Sequence, residues 1–479
     1  MADQQVQTQR IPFGNLQASG TEELGGGSPV AMNVVADSTG TIFRRPGIRQ
    51  YLPSIDPHGI AALYETAQNE VYAVVNGPPA RNIYFVTAGG AVNLSMVPEG
   101  NVDGTLKPIV AETDALVVFA GGKKTEKVVK ANKLPSRLGG DPPEGSHILA
   151  IANRLVENDV TGTLSQLHYS DQAVGTDYSG NEDWSTALVT GIFTAAARPD
   201  PIVAVHENTN EIFVFGPSSL QVYGPDATAN FAPVVNKEVG CSAPYSVVKS
   251  DQNFVWLDHL RRFVMSDGRQ FQVLSDPIQK TLQSLDTVSD CFGYRITMGY
   301  IDAGIWVFPS EGLTFCYQKD AGWGQWSGWD GAWAQFPVTA ATRIKVTGET
   351  MVGTDDGSLG ILDMDTTTDF GDQVNAYVVT GFQDRGTDNF KSCRKVRFTL
   401  RRGRTTGVEE PYFLLSWRDG LGPWEPGIPI SLGSAGENNP VVELWSLGTY
   451  RRRQWKMDFK SSENLALVSA SEEFEVLPS

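Results

Sequence analysis

Between residues 56 and 373 the chain repeats one short grammar, and this repeat limits its fold more than any other feature. An apolar run is followed by a polar turn, a strand-like run such as EIFVFG or GIWVFP, a second turn, and a run such as SLQVYG or LTFCYQ. The repeat is plain in GIAALYETAQNEVYAVVNGPPARNIYFVTAGG (59–90) and PIVAVHENTNEIFVFGPSSLQVYG (201–224), and fainter in PIVAETDALVVFAGGKKTEKVV (108–129). With 147–171, 246–275, 296–329 and 343–365 there are seven groups over about 315 residues, a period near 45. Repeats of this length, built from short strands, are those of propeller blades. One small sheet cannot bury both faces alone; stacking sheets face to face around an axis does so. The repeat predicts an all-β fold, a β-propeller of about six to seven blades over 56–373.

Either side of the repeat the pattern changes. Residues 1–55 read as an N-terminal arm, Gly-rich and aperiodic through TEELGGGSPV, then two β-like runs ending in Arg44-Arg45-Pro46-Gly47, a turn signal. After Thr367 the strands lengthen: NAYVVTGFQ, RKVRFTLRRG, PYFLLSWRDG, VVELWSLG, RRQWKMDFKS and NLALVSASEEFEVL. This predicts a separate β-sandwich over 374–479. Helical periodicity is confined to DPIQKTLQSLDTVS (276–289), with Ile278, Leu282 and Leu285 at three- to four-residue spacing.

Two of the late strands carry basic residues on one face. Val396, Phe398 and Leu400 alternate with Arg397, Thr399 and Arg401, and Trp455, Met457 and Phe459 with Gln454, Lys456 and Asp458. Period-two alternation sends the apolar set to the core and the polar set outward. The outward set is either a solvated face or a docking surface for an acidic partner. Arg44, Arg45, Arg397, Arg401, Arg452 and Lys456 are the candidate assembly residues.

Charge is uneven. Residues 1–374 hold 24 Lys and Arg against 42 Asp and Glu, a net of −18, and residues 375–479 hold 14 against 13. An acidic body opposes non-specific affinity for nucleic acid, yet suits a wall along which DNA slides without sticking. Cys241, Cys291, Cys316 and Cys393 are widely spaced, which predicts buried free thiols rather than a disulfide framework or zinc site. MADQQVQTQRIPFGN has neither the basic nor the apolar region of a signal peptide, and no apolar run approaches about 18 residues. The expectation is a protein made and kept in the cytoplasm, without a membrane span.

The stretch GWGQWSGWDGAW (322–333) holds four of the eleven tryptophans. It reads as a turn presenting indoles to neighbouring blades, with a sugar-stacking platform as the alternative. No catalytic constellation stands out. His58, His147, His168, His206 and His259 show no paired metal spacing, and neither a G-x-S-x-G elbow nor a P-loop occurs. SDQAVGTDYSGNEDW (170–184) fails the spacing of a sialidase box, and DDGSLGILDMD (355–365) reads as a hairpin turn rather than a calcium loop. No enzyme activity, metal or cofactor is expected.

MNVVADSTGTIFRRPGIRQY followed by ALYETAQNEVYAVVNG resembles the opening of the tail-hub, or nozzle, proteins of short-tailed bacteriophages, also called packaged-DNA stabilisation proteins. Asn33, Arg44, Pro46, Gly47, Thr66, Ala67, Gln68, Asn69, Val71 and Tyr72 carry the likeness. IVAVHENTNEIFVFGPSSLQVY (202–223), Gly240-Cys241, SDPIQKTLQS and YRRRQWKMDF extend it over most of the chain. The resemblance implies a virion protein of the short tail, assembled as a homohexameric ring below the portal and its head-to-tail adaptor. It further implies that the ring lengthens the DNA channel, retains packaged genomic DNA without binding it specifically, and anchors tail fibres or spikes and a plug or needle. A carbohydrate-binding or glycan-cleaving propeller is the alternative that the residues leave open.

Overall fold

A computed structural model describes residues 6–14, 30–37, 39–77, 81–95, 106–162, 164–184, 192–194, 200–225, 231–299, 301–402, 412–432, 440–460 and 465–478. Seven four-stranded antiparallel units follow one another in the chain. Five are free-standing sheets: blade 1 (60–93), blade 2 (109–137), blade 3 (148–194), blade 4 (204–237) and blade 5 (248–273). Blade 6 (292–325) and blade 7 (338–363, with Gly47–Leu52) are built into larger sheets.

The ring is closed by its cores, one between each pair of neighbours. Tyr72 and Ile83 meet Phe119 and Val128 between blades 1 and 2, and Leu116 and Val118 meet Ile148 and Leu155 between 2 and 3. Val156 and Leu167 pack on Ile212 and Val214, then Phe213 and Phe215 on Phe254 and Trp256. Val255 and Phe263 pack on Trp306 and Phe315, and Ile296 and Ile305 on Val338 and Val352. Met351 and Leu359 return to Ile60 and Val71, so blade 7 meets blade 1. The arrangement is a β-propeller. Because both faces of each sheet are covered, the second strands are apolar without alternation: VYAVV, LVVFA and EIFVF are buried nearly throughout.

Closure uses the N-terminal segment. Gly47–Leu52 pairs antiparallel with Leu359–Asp363 as the fourth strand of blade 7. A Cβ on Gly47 would lie 2.3 Å from the Thr368 carbonyl oxygen and 2.6 Å from that of Thr366, so only glycine allows the approach. The boundary expected at residue 56 is thus not one in space: the leading segment belongs partly to the propeller.

The rest of that segment joins the late strands. One sheet runs Val34–Ala36, Ile42–Arg44, Leu465–Val476, Lys391–Arg402, Val441–Trp445, with Gln7–Arg10 and Thr449–Tyr450 at its flanks. The other runs from blade 6 through Val30–Met32, Ala376–Val379, Arg453–Phe459, Tyr412–Asp419 and Ile428–Ser431. Both contribute to one core, with Val396, Phe398 and Leu400 from the first and Phe413, Leu415, Trp455, Met457 and Phe459 from the second. The late region is therefore two-layered, but one layer is continuous with a blade rather than separate. Most of the arm expected over 1–30 lies outside the described residues.

Smaller expectations resolve as well. The helical periodicity near 278 appears as a 3-10 turn, Asp276–Ile278, and one short helix, Gln279–Ser284, with Ile278, Leu282 and Leu285 buried. All four cysteines are buried and free. Residues 355–358 form the hairpin turn of blade 7, with Gly357 at φ +79° and the Ser358 N–H donating to Asp356 Oδ1.

Candidate functional site

The six candidate assembly residues fall into four environments. Arg44 and Arg45 are buried, at 3% and 1% exposure, and this corrects their assignment as docking residues. Arg45 pairs with Asp369 at 2.5 Å and donates to the carbonyls of Pro46 (2.9 Å) and Ser327 (3.0 Å) and to Asn33 Oδ1 (3.0 Å). Its guanidinium lies 4.6 Å from the Phe336 ring centre and 5.6 Å from that of Trp326. Asn33, at φ +54°, donates to the Ser327 and Asn375 carbonyls. Arginine's planar fork suits such a site, since five donors can be satisfied in one plane. The motif around Arg45 is a buried knot tying the leading segment to blade 6 and to the chain that leaves blade 7. Burial, with Arg45 alongside, pushes Arg44 down to about 10.

Arg397 and Arg401 are exposed on the outer face of their strand, Arg397 3.9 Å from Glu443. Lys456 is half-buried, 3.1 Å from Asp458 and over the Tyr377 ring. Arg452 is exposed beside a second group of residues that alternation alone does not reveal. Arg418 lies 5.4 Å from the Phe382 ring centre and 5.0 Å from that of Trp424. Arg452 approaches Phe382 at 5.9 Å, and Arg451 lies 4.7 Å from the exposed Phe390. Next to them two arginines are paired: Arg453 with Asp419 (2.6 and 2.8 Å) and Arg385 with the buried Glu472 (2.5 Å). These pairs span 34 and 87 residues, so no local spacing announces them.

The tryptophan stretch divides. Trp323 and Trp326 are core residues at 1% exposure. Trp323 packs on Phe263 and Trp306 and donates its indole N–H to the Leu274 carbonyl at 2.7 Å. Trp329 and Trp333 face each other across a small hairpin, edge to face at 5.2 Å, and Trp333 is 43% exposed. Beside them opens a cleft of about 440 Å³, lined by Trp329, Asp330, Gln335, Asp355, Asp356 and Asp372 among others.

Where the innermost strands begin, side chains link several blades. Lys107, just before blade 2, donates to the carbonyls of Ala61 (2.9 Å) and Thr339 (2.8 Å), in blades 1 and 7, and lies 4.2 Å from the Phe292 ring of blade 6. His147 stacks on Tyr245 at 5.2 Å and meets His206 edge-on at 6.0 Å, which brings in blades 3, 5 and 4. Burial pushes His147 down to about 4 and His206 to about 3, the neighbouring His147 adding to the latter. Both imidazoles are neutral near pH 7 and act as packing groups. Among the described residues no group of three His, Cys, Asp or Glu side chains is placed to hold a metal ion.

No family model matches the chain, and no curated protein does. Solved structures show remote likeness. The N-terminal domain of Nup159 aligns at 10% identity and TM-score 0.40, over 69% of this chain and 98% of its own. Hsv2 of Kluyveromyces lactis aligns at 12% and 0.32, over 56% and 97%. The extracellular domain of a putative one-component system from B. thetaiotaomicron aligns at 10% and 0.41; this chain spans 86% of its length there and 62% of the other's. The fold assignment rests on the strand order and the seven shared cores.

Proposed function

We propose that the chain is a structural subunit of a short-tailed phage tail hub or nozzle. In this reading six copies form a ring below the head-to-tail adaptor, continue the DNA channel, help retain packaged DNA and anchor fibres or spikes and a plug. The reading starts from the order of sequence motifs between Asn33 and Phe459. The observation that carries it is the surface of the late two-layered region. There Phe390, Tyr412, Leu421, Trp424, Val441 and Trp445 are 36–73% exposed, and the edge strand Val441–Trp445 has no partner on its second side among the described residues. Open edges and exposed aromatics are what subunit contacts cover. In this reading the DNA channel runs between copies, where the acidic bodies would repel phosphate.

The test is the oligomeric state of purified protein, by light scattering and negative-stain imaging, with and without the adaptor. Rings of six support the reading; a chain that stays monomeric with the adaptor present contradicts it.

One observation favours a second reading, a glycan-binding or glycan-cleaving propeller: the cleft beside Trp329 and Trp333 combines an aromatic wall with carboxylates and an amide. A glycan-array signal lost on Trp329→Ala or Trp333→Ala would favour it, and a silent array would remove it.

A further inference from the structure

At one end of the two-layered region the chain builds a basic and aromatic patch on the ends of sheet strands. Arg418 closes the strand Tyr412–Asp419, and Arg451 and Arg452 immediately precede Arg453–Phe459. The Gly420 N–H donates to the Arg452 carbonyl at 2.9 Å, and Gln383 and Arg453 exchange backbone hydrogen bonds at 2.9 and 3.1 Å, so three segments are fixed together. Phe382, 1% exposed, is the floor of the patch, with Arg418 and Arg452 over its ring. Leu421, Phe390 and Trp424 stand out from it at 73%, 48% and 36% exposure.

Pairing distinguishes these arginines from their neighbours. Arg385 and Arg453 have carboxylate partners at close range. Among the described residues Arg418, Arg451 and Arg452 have none: Arg418 donates to Gln454 Oε1 at 2.6 Å, and the outer two only stack on rings. A chain with 55 acidic and 38 basic residues has carboxylates in excess, yet leaves these guanidiniums uncompensated. Stacking holds them in place, so little side-chain freedom is lost when an anion is met.

We propose that this patch is a contact surface for the acidic propeller of a second copy of the same chain. This rests on the ring reading and names one side of the contact. The partner's chemistry follows from charge: the patch groups three arginines that have no carboxylate partner among the described residues, and the first 374 residues of every copy carry a net −18. Arginine with exposed tryptophan, phenylalanine and leucine is the make-up of a protein contact, in which apolar groups are covered and guanidiniums meet carboxylates. A phosphate backbone fits less well, because Leu421, Phe390 and Trp424 would gain no apolar partner. A contact between two different surfaces of one chain is heterologous, and repeated around an axis it closes a ring.

The test compares full-length wild type with Arg451→Glu/Arg452→Glu and with Leu421→Asp, which lies in an exposed turn and spares the fold. Assembly is followed by sedimentation and light scattering, with the adaptor where rings need it, and folding by near-UV circular dichroism. The double reversal should weaken self-association at least about 100-fold, Leu421→Asp at least about tenfold, and rising salt should weaken wild type as well. Rings that persist unchanged in both folded variants overturn the patch and leave the ring reading standing. A wild type that never associates, even with adaptor, overturns both. Binding of a short DNA duplex that is lost in the double reversal while rings persist overturns the acidic-protein partner in favour of phosphate.

Discussion

The propeller and the late two-layered region expose aromatic side chains very differently. Among the described residues of 56–373, about three times the length, Trp333 is the one aromatic side chain more than about a third exposed. In 374–479 there are four: Phe390, Tyr412, Trp424 and Trp445. A closed ring of blades has a neighbour for each sheet face, so its large side chains go inward. Two layers packed on each other cover only their inner faces. Large side chains are buried in the propeller, and several stand open to solvent in the late region.

The largest effect is expected at the joint between the two regions. Arg45→Met leaves Asp369 buried and unpaired and cuts the ties to Asn33 and Ser327. It should cost about 3–5 kcal/mol, read as a lower urea midpoint; a loss under about 1 kcal/mol would mean that the knot does not tie the two regions. The same substitution in each region sharpens the contrast next. Trp323→Ala, inside the core between blades 5 and 6, should cost about 3–5 kcal/mol, whereas Trp445→Ala, 63% exposed, should change monomer stability by less than about 0.5 kcal/mol. Equal losses at both sites would erase the distinction.

A pH series probes His147 and His206. His147 and His206 are held below the ordinary histidine value in the fold, so the unfolded chain takes up protons first as pH falls. Their contribution is fully present above about pH 6.5 and is lost toward pH 4. Glu157, pushed up to about 8 by burial, acts in the opposite sense: its contribution is present below about pH 4.5 and is lost as pH rises through 8. The difference between the melting curves of wild type and His147→Gln isolates the first effect. It should grow by at least about 3 °C in relative favour of the variant between pH 7 and pH 5, and a pH-independent difference would contradict the burial argument. The smallest effect is expected on the outer face, where Arg397→Glu/Arg401→Glu should leave the unfolding midpoint of the monomer within about 0.5 kcal/mol of wild type.

Much of this was legible in the residues. The seven groups are the seven blades, because a strand buried on both faces is written as an uninterrupted apolar run. Trp323 and Trp326 are packing residues, as read, and the Ile278, Leu282, Leu285 spacing marks a helical turn. Arg44 and Arg45 were not legible: a basic pair before Pro-Gly looks like surface, and its burial depends on Asp369, 324 residues from Arg45. The closing strand Gly47–Leu52 is hidden for the same reason, since its partner lies at the far end of the repeat. The stacked arginines show a third limit. Alternation separates inner from outer faces within a strand, but Arg418, Arg451 and Arg452 meet Phe382, Phe390 and Trp424 at strand ends, where no period applies.

We propose that other subunits cover the exposed surface of the late region. The most direct test is the mass of the purified chain in solution, by light scattering across a concentration series with the adaptor added. Six-fold assemblies that image as rings are expected. A particle of one chain at every concentration, with adaptor present and the exposed aromatics still open to solvent, would contradict it.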